Sequence, residues 1–244
     1  MMAKVYLGIG HGGADSGAVS GGFKEKEIAL SIGKACAEEL RRHGVTVKIS
    51  REKDKDMTIA AKVNECNSFG PDLAADLHIN AGGGDGAEVF HSVSGGRGRT
   101  LGTDILEALE EAGQNSRGCK TKARSDGKDY FAFIRNTKAP AVIIESAFID
   151  NKKDFAAIDT AAEQKAFGKA IAKGFLKSLG IPYKEEVRAV AYNDAKEIPK
   201  WAREAVEKVT KAGLMVGDDK GNFNPNEPVT RAQLALVLQR LEML

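Results

Sequence analysis

Two histidines in glycine-rich settings carry the plainest chemistry in this sequence. His11 lies in Gly8-Ile9-Gly10-His11-Gly12-Gly13, directly after an apolar run, and His78 lies in Asp76-Leu77-His78-Ile79-Asn80-Ala81, ahead of the glycines 82–84. A histidine where a strand gives way to a loop without side-chain bulk can turn its imidazole into an open cleft. Two imidazoles and one carboxylate make the three-ligand set of a catalytic zinc, with one position left for water. Asp15, Glu25 and Glu27 are the acids placed to complete it. Glu25 and Glu27 fall in the first turn of a helix, where acids also simply favour the positive end of the dipole, so residue type alone leaves the choice open. A fourth candidate, Glu145, ends the apolar run Ala141-Val142-Ile143-Ile144. Burial there raises a carboxyl towards the pKa of a general acid and base, whereas a structural role would pair it with Arg135 or Lys138. His43, just before Gly44, suits a helix C-terminus, and His91 fits no ligand pattern; both read as structural.

The first glycine motif also matches G-x-G-x-x-G, the mark of a dinucleotide site. Phosphate binding requires a helix that opens at the glycines. Here a polar stretch, 14–22, intervenes, and the next strand ends at Arg51 without an acid to hold a ribose. An oxidoreductase is therefore disfavoured.

The elements that must position these groups alternate in type. Residues 5–9 read as a buried strand, and Ile28, Ala29, Ile32, Ala35, Cys36 and Leu40 recur at helical spacing up to Gly44. Strands are expected at 45–49, 73–79, 88–93 and 141–146, and helices at 58–69, 99–112 and 161–179. This order predicts an α/β fold with a mixed, largely parallel sheet covered by helices on both faces. If the strands leading to His11 and His78 are parallel neighbours, their ends share the sheet edge where ligands gather in such folds. Periodicity stops at Gly180-Ile181-Pro182, so the chain divides into a domain over 1–180, a linker over 181–189 and a small, mainly helical module over 190–244, with helices at 201–212 and 230–241.

Composition narrows the classes. With 244 residues, 42% hydrophobic and 29% charged, the chain has the material for a core, which excludes disorder and a staple-dependent miniprotein. Lys+Arg is 36 against Asp+Glu 34, with no block of like charge, so nucleic acid is not an expected partner. Three cysteines without C-x-x-C pairing argue against a disulfide framework and point to a reducing compartment. Residues 1–13 hold no apolar run fit for a signal peptide or a membrane span. The expectation is a protein made in the cytoplasm, not bound to membranes, that reaches any external target by holin-type export or lysis.

Taken together, Gly10-His11-Gly12-Gly13-x-Asp15-x-Gly17-Ala18, Lys24-Glu25-Lys26-Glu27-x-x-x-Leu30, His78-x-Asn80-Ala81, and Arg135-Asn136-Thr137-x-x-Pro140-Ala141-Val142-x-x-Glu145 with Phe148-Ile149-x-Asn151 resemble the zinc-dependent N-acetylmuramoyl-L-alanine amidases of the type-3 family. The resemblance spans about residues 3–179. It implies one Zn²⁺ on His11, Glu25 and His78, a catalytic carboxylate at Glu145, a substrate contact at Asn80, and peptidoglycan as substrate. Asp76 departs from the serine that many relatives carry. The rival is a wall-binding protein that keeps this shape without activity, which loss of one of the four groups would signal. Residues 190–244 resemble one surface-layer-homology motif, through Tyr192-Asn193-Asp194, Trp201-Ala202, Gly221-Asn222-Phe223-Asn224-Pro225 and Thr230-Arg231-Ala232-Gln233. That likeness implies an anionic secondary cell-wall polymer as partner, gripped by Arg231, whose guanidinium fork matches a carboxylate, with Trp201 stacking on a sugar. Otherwise Trp201 is the core of a helical pair and Arg231 a solvated first-turn residue. Gln233 replaces the usual acid, and a single copy of the motif implies a monomer or a weak oligomer formed through this module. With the export expectation, the two likenesses suggest a phage or prophage endolysin.

Overall fold

A computed structural model of the chain describes residues 2–184 and 192–241. Residues 185–189 of the expected linker, 190 and 191 of the module, and 242–244 lie outside the described residues. The chain divides into two units, Met1–Tyr183 and Lys184–Leu244.

In the first unit the order is β1 (Lys4–Ile9), β2 (Val19–Ser20), β3 (Phe23–Lys24), α1 (Glu25–Arg42), β4 (Thr46–Ile49), α2 (Ile59–Phe69) and β5 (Leu73–Asn80). It continues with β6 (Ala87–His91), α3 (Gly96–Glu111), β7 (Ser116–Lys120), α4 (Ala132–Asn136), β8 (Ala141–Phe148), α5 (Lys152–Ala156) and α6 (Ala161–Ser178). Six strands form one sheet in the order β4-β1-β5-β8-β6-β7. Neighbours run parallel except β6, which is antiparallel to β8. The central strands are apolar on both faces because both faces are covered. On one side Val5, Leu7, Ile9 and Leu77 meet Ile28, Ile32, Leu101, Ile105 and Phe175 of α1, α3 and α6. On the other, Tyr6, Ala74 and Ile143 meet Val63 and Cys66 of α2 and Phe133 of α4. This is the mixed α/β sheet expected.

The helix ends follow their local chemistry. Thr58 accepts from the Ala61 N–H to start α2, and Thr160 with Glu163 forms a capping box for α6. Where α6 crosses α1, Gly168 lets the backbones touch: a Cβ there would sit 2.6 Å from both the Ala35 Cβ and the Ile32 carbonyl oxygen. Gly168→Ala raises intrinsic helix propensity by about 1 kcal/mol, yet forces two packed helices apart. A net loss of about 1–3 kcal/mol is expected, read as a lower denaturation midpoint at an unchanged m-value.

Four features differ from the sequence expectation. The strand holding Glu145 runs on to Phe148, placing Glu145 inside β8 rather than at its end. The β2–β3 hairpin, α4 with α5, and β7 carry no clear periodicity; β7 is Ser-Arg-Gly-Cys-Lys, with neither alternation nor an apolar run.

In the second unit, α7 (Arg203–Lys211) and α8 (Arg231–Leu241) follow a small apolar centre that includes Tyr192 and Ile198. The Asp194 carboxylate accepts from the Phe223 and Asn224 N–H groups at 2.9 and 2.7 Å, and Asp218 accepts from Lys220 and Asn222 at 2.9 and 2.8 Å. Among the described residues, no helix is long and apolar enough to cross a membrane.

Candidate metal centre

β1 and β5 are parallel neighbours with Ile9 opposite Leu77, so the chain leaving β1 meets the end of β5 at one sheet edge. His11 stands two residues past β1 at φ +54°, in a loop closed by paired backbone hydrogen bonds between Gly12 and Asp15. Arg51, fully buried, clamps this loop: its Nη2 donates to the carbonyls of Gly10 (2.9 Å) and Lys26 (2.7 Å). Gly10 is required by close approach, since a Cβ would stand 2.6 Å from the His78 ring. The stretch between the glycines and α1 is taken up by this loop and the hairpin, so α1 begins at Glu25 and the glycines cradle no helix N-terminus.

Starting α1 at Glu25 brings its carboxylate between the two rings. His78 Nδ1 lies 3.0 Å from Glu25 Oε1, and His11 Nε2 lies 3.2 Å from Oε2. Both oxygens are also fixed by backbone, Oε1 accepting from Ile79 N–H (3.0 Å) and Oε2 from Ala18 N–H (2.9 Å). Burial alone would raise the Glu25 carboxyl, but the hydrogen bonds from His11 and His78 outweigh it and hold the group well below the usual carboxylate range. His11 is raised by its bond to Glu25. His78, which burial would lower, is pushed up to about 10 by Asp76 and Glu25. The donor set fits a small divalent cation: one atom from each of His11, Glu25 and His78 lies within 4.8 Å of the others. The nitrogens facing away from Glu25 have carboxylates too, Asp15 Oδ2 at 2.8 Å from His11 Nδ1 and Asp76 Oδ2 at 3.5 Å from His78 Nε2. Asp15 therefore stands behind His11, and Glu27 pairs with Lys24.

Glu145 is the register partner of His78 on one side and of Glu88 on the other. Burial pushes its carboxyl up to about 7, and its Oε2 is buried without a hydrogen-bond partner. The structural pairing is not made: Arg135 donates instead to the carbonyls of Asp129 and Tyr130, at 2.6 and 2.9 Å. Asn80 donates to Glu88 Oε1 at 2.9 Å, and Glu88 Oε2 accepts from Arg117 (2.9 Å) and Lys120 (2.6 Å). His43 caps α1 and lies 2.9 Å from the Glu39 carbonyl, and His91 lies 2.7 Å from the Ser92 carbonyl, both away from the cluster. A cleft of about 390 Å³ opens over His11 and His78, walled by Asp56, Thr58 and Ile59 and floored by Lys62 and Asp76. Arg51, Glu88 and the Lys62–Asp76 pair escape a reading by motif. The available signal was a lone acid in the apolar run 73–79 and a lysine on the apolar stripe Ile59, Lys62, Val63, Cys66.

In the second unit Trp201 is 86% exposed, so it is not the core of a helical pair. Arg231 opens α8 and is exposed. Gln233, where an acid was expected, closes the capping box as an acid would: Thr230 N–H donates to its Oε1 (2.8 Å) and its own N–H donates to Thr230 Oγ1 (3.2 Å).

Comparison with known proteins identifies the family of each unit. The N-acetylmuramoyl-L-alanine amidase family model matches residues 5–177 and the S-layer homology domain model residues 191–235. The N-acetylmuramoyl-L-alanine amidase CwlM of Bacillus licheniformis is 30% identical over 184 residues, covering 74% of this chain and 70% of CwlM. An endolysin of Bacillus phage SPP1 is 36% identical over 165 residues, 64% of this chain and 58% of the endolysin. The solved structure of Cwp6 from Clostridium difficile superposes with a TM-score of 0.72 at 36% identity, over 73% of this chain and 30% of Cwp6. With this match over most of its length, the chain belongs to the N-acetylmuramoyl-L-alanine amidase family, an amidohydrolase domain followed by an S-layer homology domain.

Proposed function

We propose that the first unit is a zinc-dependent hydrolase that cuts the amide between the lactyl group of N-acetylmuramic acid and the L-alanine of the peptidoglycan stem. The observation that carries this is the meeting of three ligand atoms within 4.8 Å with a buried carboxylate oxygen that has no partner. Zinc, when bound by His11, Glu25 and His78, lowers the pKa of water and polarises the scissile carbonyl. Glu25 is locked by two backbone N–H groups, so it holds its place without reorganising. Glu145 takes one proton from the attacking water as the C–O bond forms, then returns it to the alanine nitrogen as the C–N bond breaks. The products are a lactyl carboxylic acid and a free amine. A carboxyl pushed up to about 7 is matched to both transfers near neutral pH. A non-catalytic wall binder would have no use for an unpartnered buried carboxyl, which costs stability wherever it lacks a function. The test is the appearance of new L-alanine amino termini when purified walls are incubated with the chain; unchanged termini with zinc-loaded protein would refute the reading.

The second unit tethers the enzyme to an anionic wall polymer, with exposed Trp201 and Arg231 as the contacts, which raises the effective concentration of the first unit at its substrate. Trp201→Ala and Arg231→Ala are each expected to weaken binding to purified walls about 5- to 30-fold while leaving hydrolysis of a soluble muramoyl peptide intact. Equal wall binding by both variants would remove them from the contact. The likeness to a phage endolysin supports a lytic role in which the protein made in the cytoplasm meets the wall once the membrane is opened. Lysis of host cells by the induced chain should then require a co-expressed holin; lysis without one, or an N-terminally processed form in the medium, would speak for secretion.

A further inference from the structure

Asp76 and Lys62 form an ion pair that the family chemistry above leaves unused. Each is 2% exposed, and Lys62 Nζ donates to both carboxylate oxygens of Asp76, at 2.8 and 3.0 Å. The same Asp76 Oδ2 lies 3.5 Å from His78 Nε2, while Nδ1 of that ring faces Glu25 at 3.0 Å. The fold has been cut to fit this carboxylate. Gly8 on β1 is the register partner of Asp76, and a Cβ at Gly8 would stand 2.5 Å from Asp76 Oδ1. The pair also floors the cleft that opens over His11 and His78 rather than sitting remote in the core.

We propose that Asp76, held and neutralised by Lys62, is a positioning residue for His78: it accepts from the Nε2–H and so keeps the imidazole in the tautomer whose Nδ1 lone pair faces the metal. This rests on the reading of His11, Glu25 and His78 as ligands. A neutral imidazole has one N–H, so an acceptor beyond one nitrogen fixes the lone pair on the other. A carboxylate in that place also makes the ring a stronger donor to the metal. Lys62 completes the device, because an unpaired carboxylate buried at this depth would be costly to keep charged.

The amide of Asp76→Asn tests this sharply. Lys62 can only donate, so it takes the amide oxygen and leaves the NH₂ group against His78 Nε2. That contact favours a lone pair on Nε2 and puts the proton on Nδ1, the ligand atom. In the full chain, chelator competition should show zinc bound about 10- to 100-fold more weakly. The double variant Lys62→Met with Asp76→Ala removes both charges, guards against loss of the fold, and should weaken zinc over the same range, because nothing then accepts from Nε2. Either folded variant binding zinc within twofold of the parent overturns the role and leaves the pair merely structural. ¹⁵N-histidine spectra of the zinc-loaded parent provide a reading free of any variant: a neutral His78 ring with its proton on Nε2 is expected, and one with its proton on Nδ1 overturns the role. Failure of the metal-centre reading itself looks different, since the parent would then bind no zinc, or His11→Ala would bind it as tightly as the parent.

Discussion

Glu145→Gln is expected to keep its zinc, keep its fold and lose turnover by about 10²- to 10⁴-fold. The amide has nearly the volume of the carboxylate but cannot carry a proton from water to the leaving nitrogen. Glu145 ligates nothing in the His11, Glu25, His78 set, so metal content measured on the purified variant should match the parent. The stability readout is more telling. Glu145 is half-buried, its enclosed Oε2 has no partner, and desolvation pushes the carboxyl up to about 7, so the charged form is disfavoured by its surroundings. Relative to an unfolded group at 4.5, the raised value means that charging Glu145 opposes folding. That penalty is absent below the unfolded pKa and grows as pH rises towards 7. The neutral amide of Glu145→Gln carries no such penalty, so the variant should melt no lower than the parent at neutral pH, the signature of a group kept for chemistry at the expense of stability. A variant with a lower melting temperature and intact turnover would make Glu145 structural and leave the reaction without its proton carrier.

How much of this was legible beforehand depended on which signals are local. Apolar runs on both faces of β1, β5 and β8 gave the sheet away, because a strand covered twice leaves no room for polar alternation. The two histidines were legible from their glycine settings, and the structure supplies the reason at Gly10, where a side chain would occupy the space of the His78 ring. The choice among Asp15, Glu25 and Glu27 was not legible from residue type. It is made by the β2–β3 hairpin, which sets where α1 starts and turns Glu25 inwards, and two-residue strands carry almost no sequence signal. Glu88, Arg117 and Lys120 were missed because their meeting is a matter of strand order: β7 joins β6 at the far edge of the sheet, and nothing in its five residues announces a strand. Asp76 and Lys62 were visible only as two charges out of place in apolar patterns. Each looks like an error until the pairing of α2 with β5 makes them one feature.

Removing the metal should be the most complete loss of all. Exhaustive chelation is expected to abolish release of L-alanine amino termini from walls, and added zinc to restore it, since loss of Lewis-acid stabilisation of several kcal/mol corresponds to about 10³-fold or more in rate. His78→Ala should reproduce the chelated state and resist rescue by zinc, because it removes a ligand and opens the contact that orients Glu25, whose Oε1 faces both the ring and the Ile79 N–H. Comparison of the two variants then separates roles that a single activity assay would merge: His78→Ala loses metal and turnover together, whereas Glu145→Gln loses turnover alone. Metal binding must displace protons from the imidazoles, so zinc affinity of the parent should fall as pH falls, with protons released on titration in weakly buffered solution. Full activity after exhaustive chelation would mean that the cluster of His11, Glu25 and His78 is an ion-paired structural knot, and that the amide is cut by other groups in the cleft.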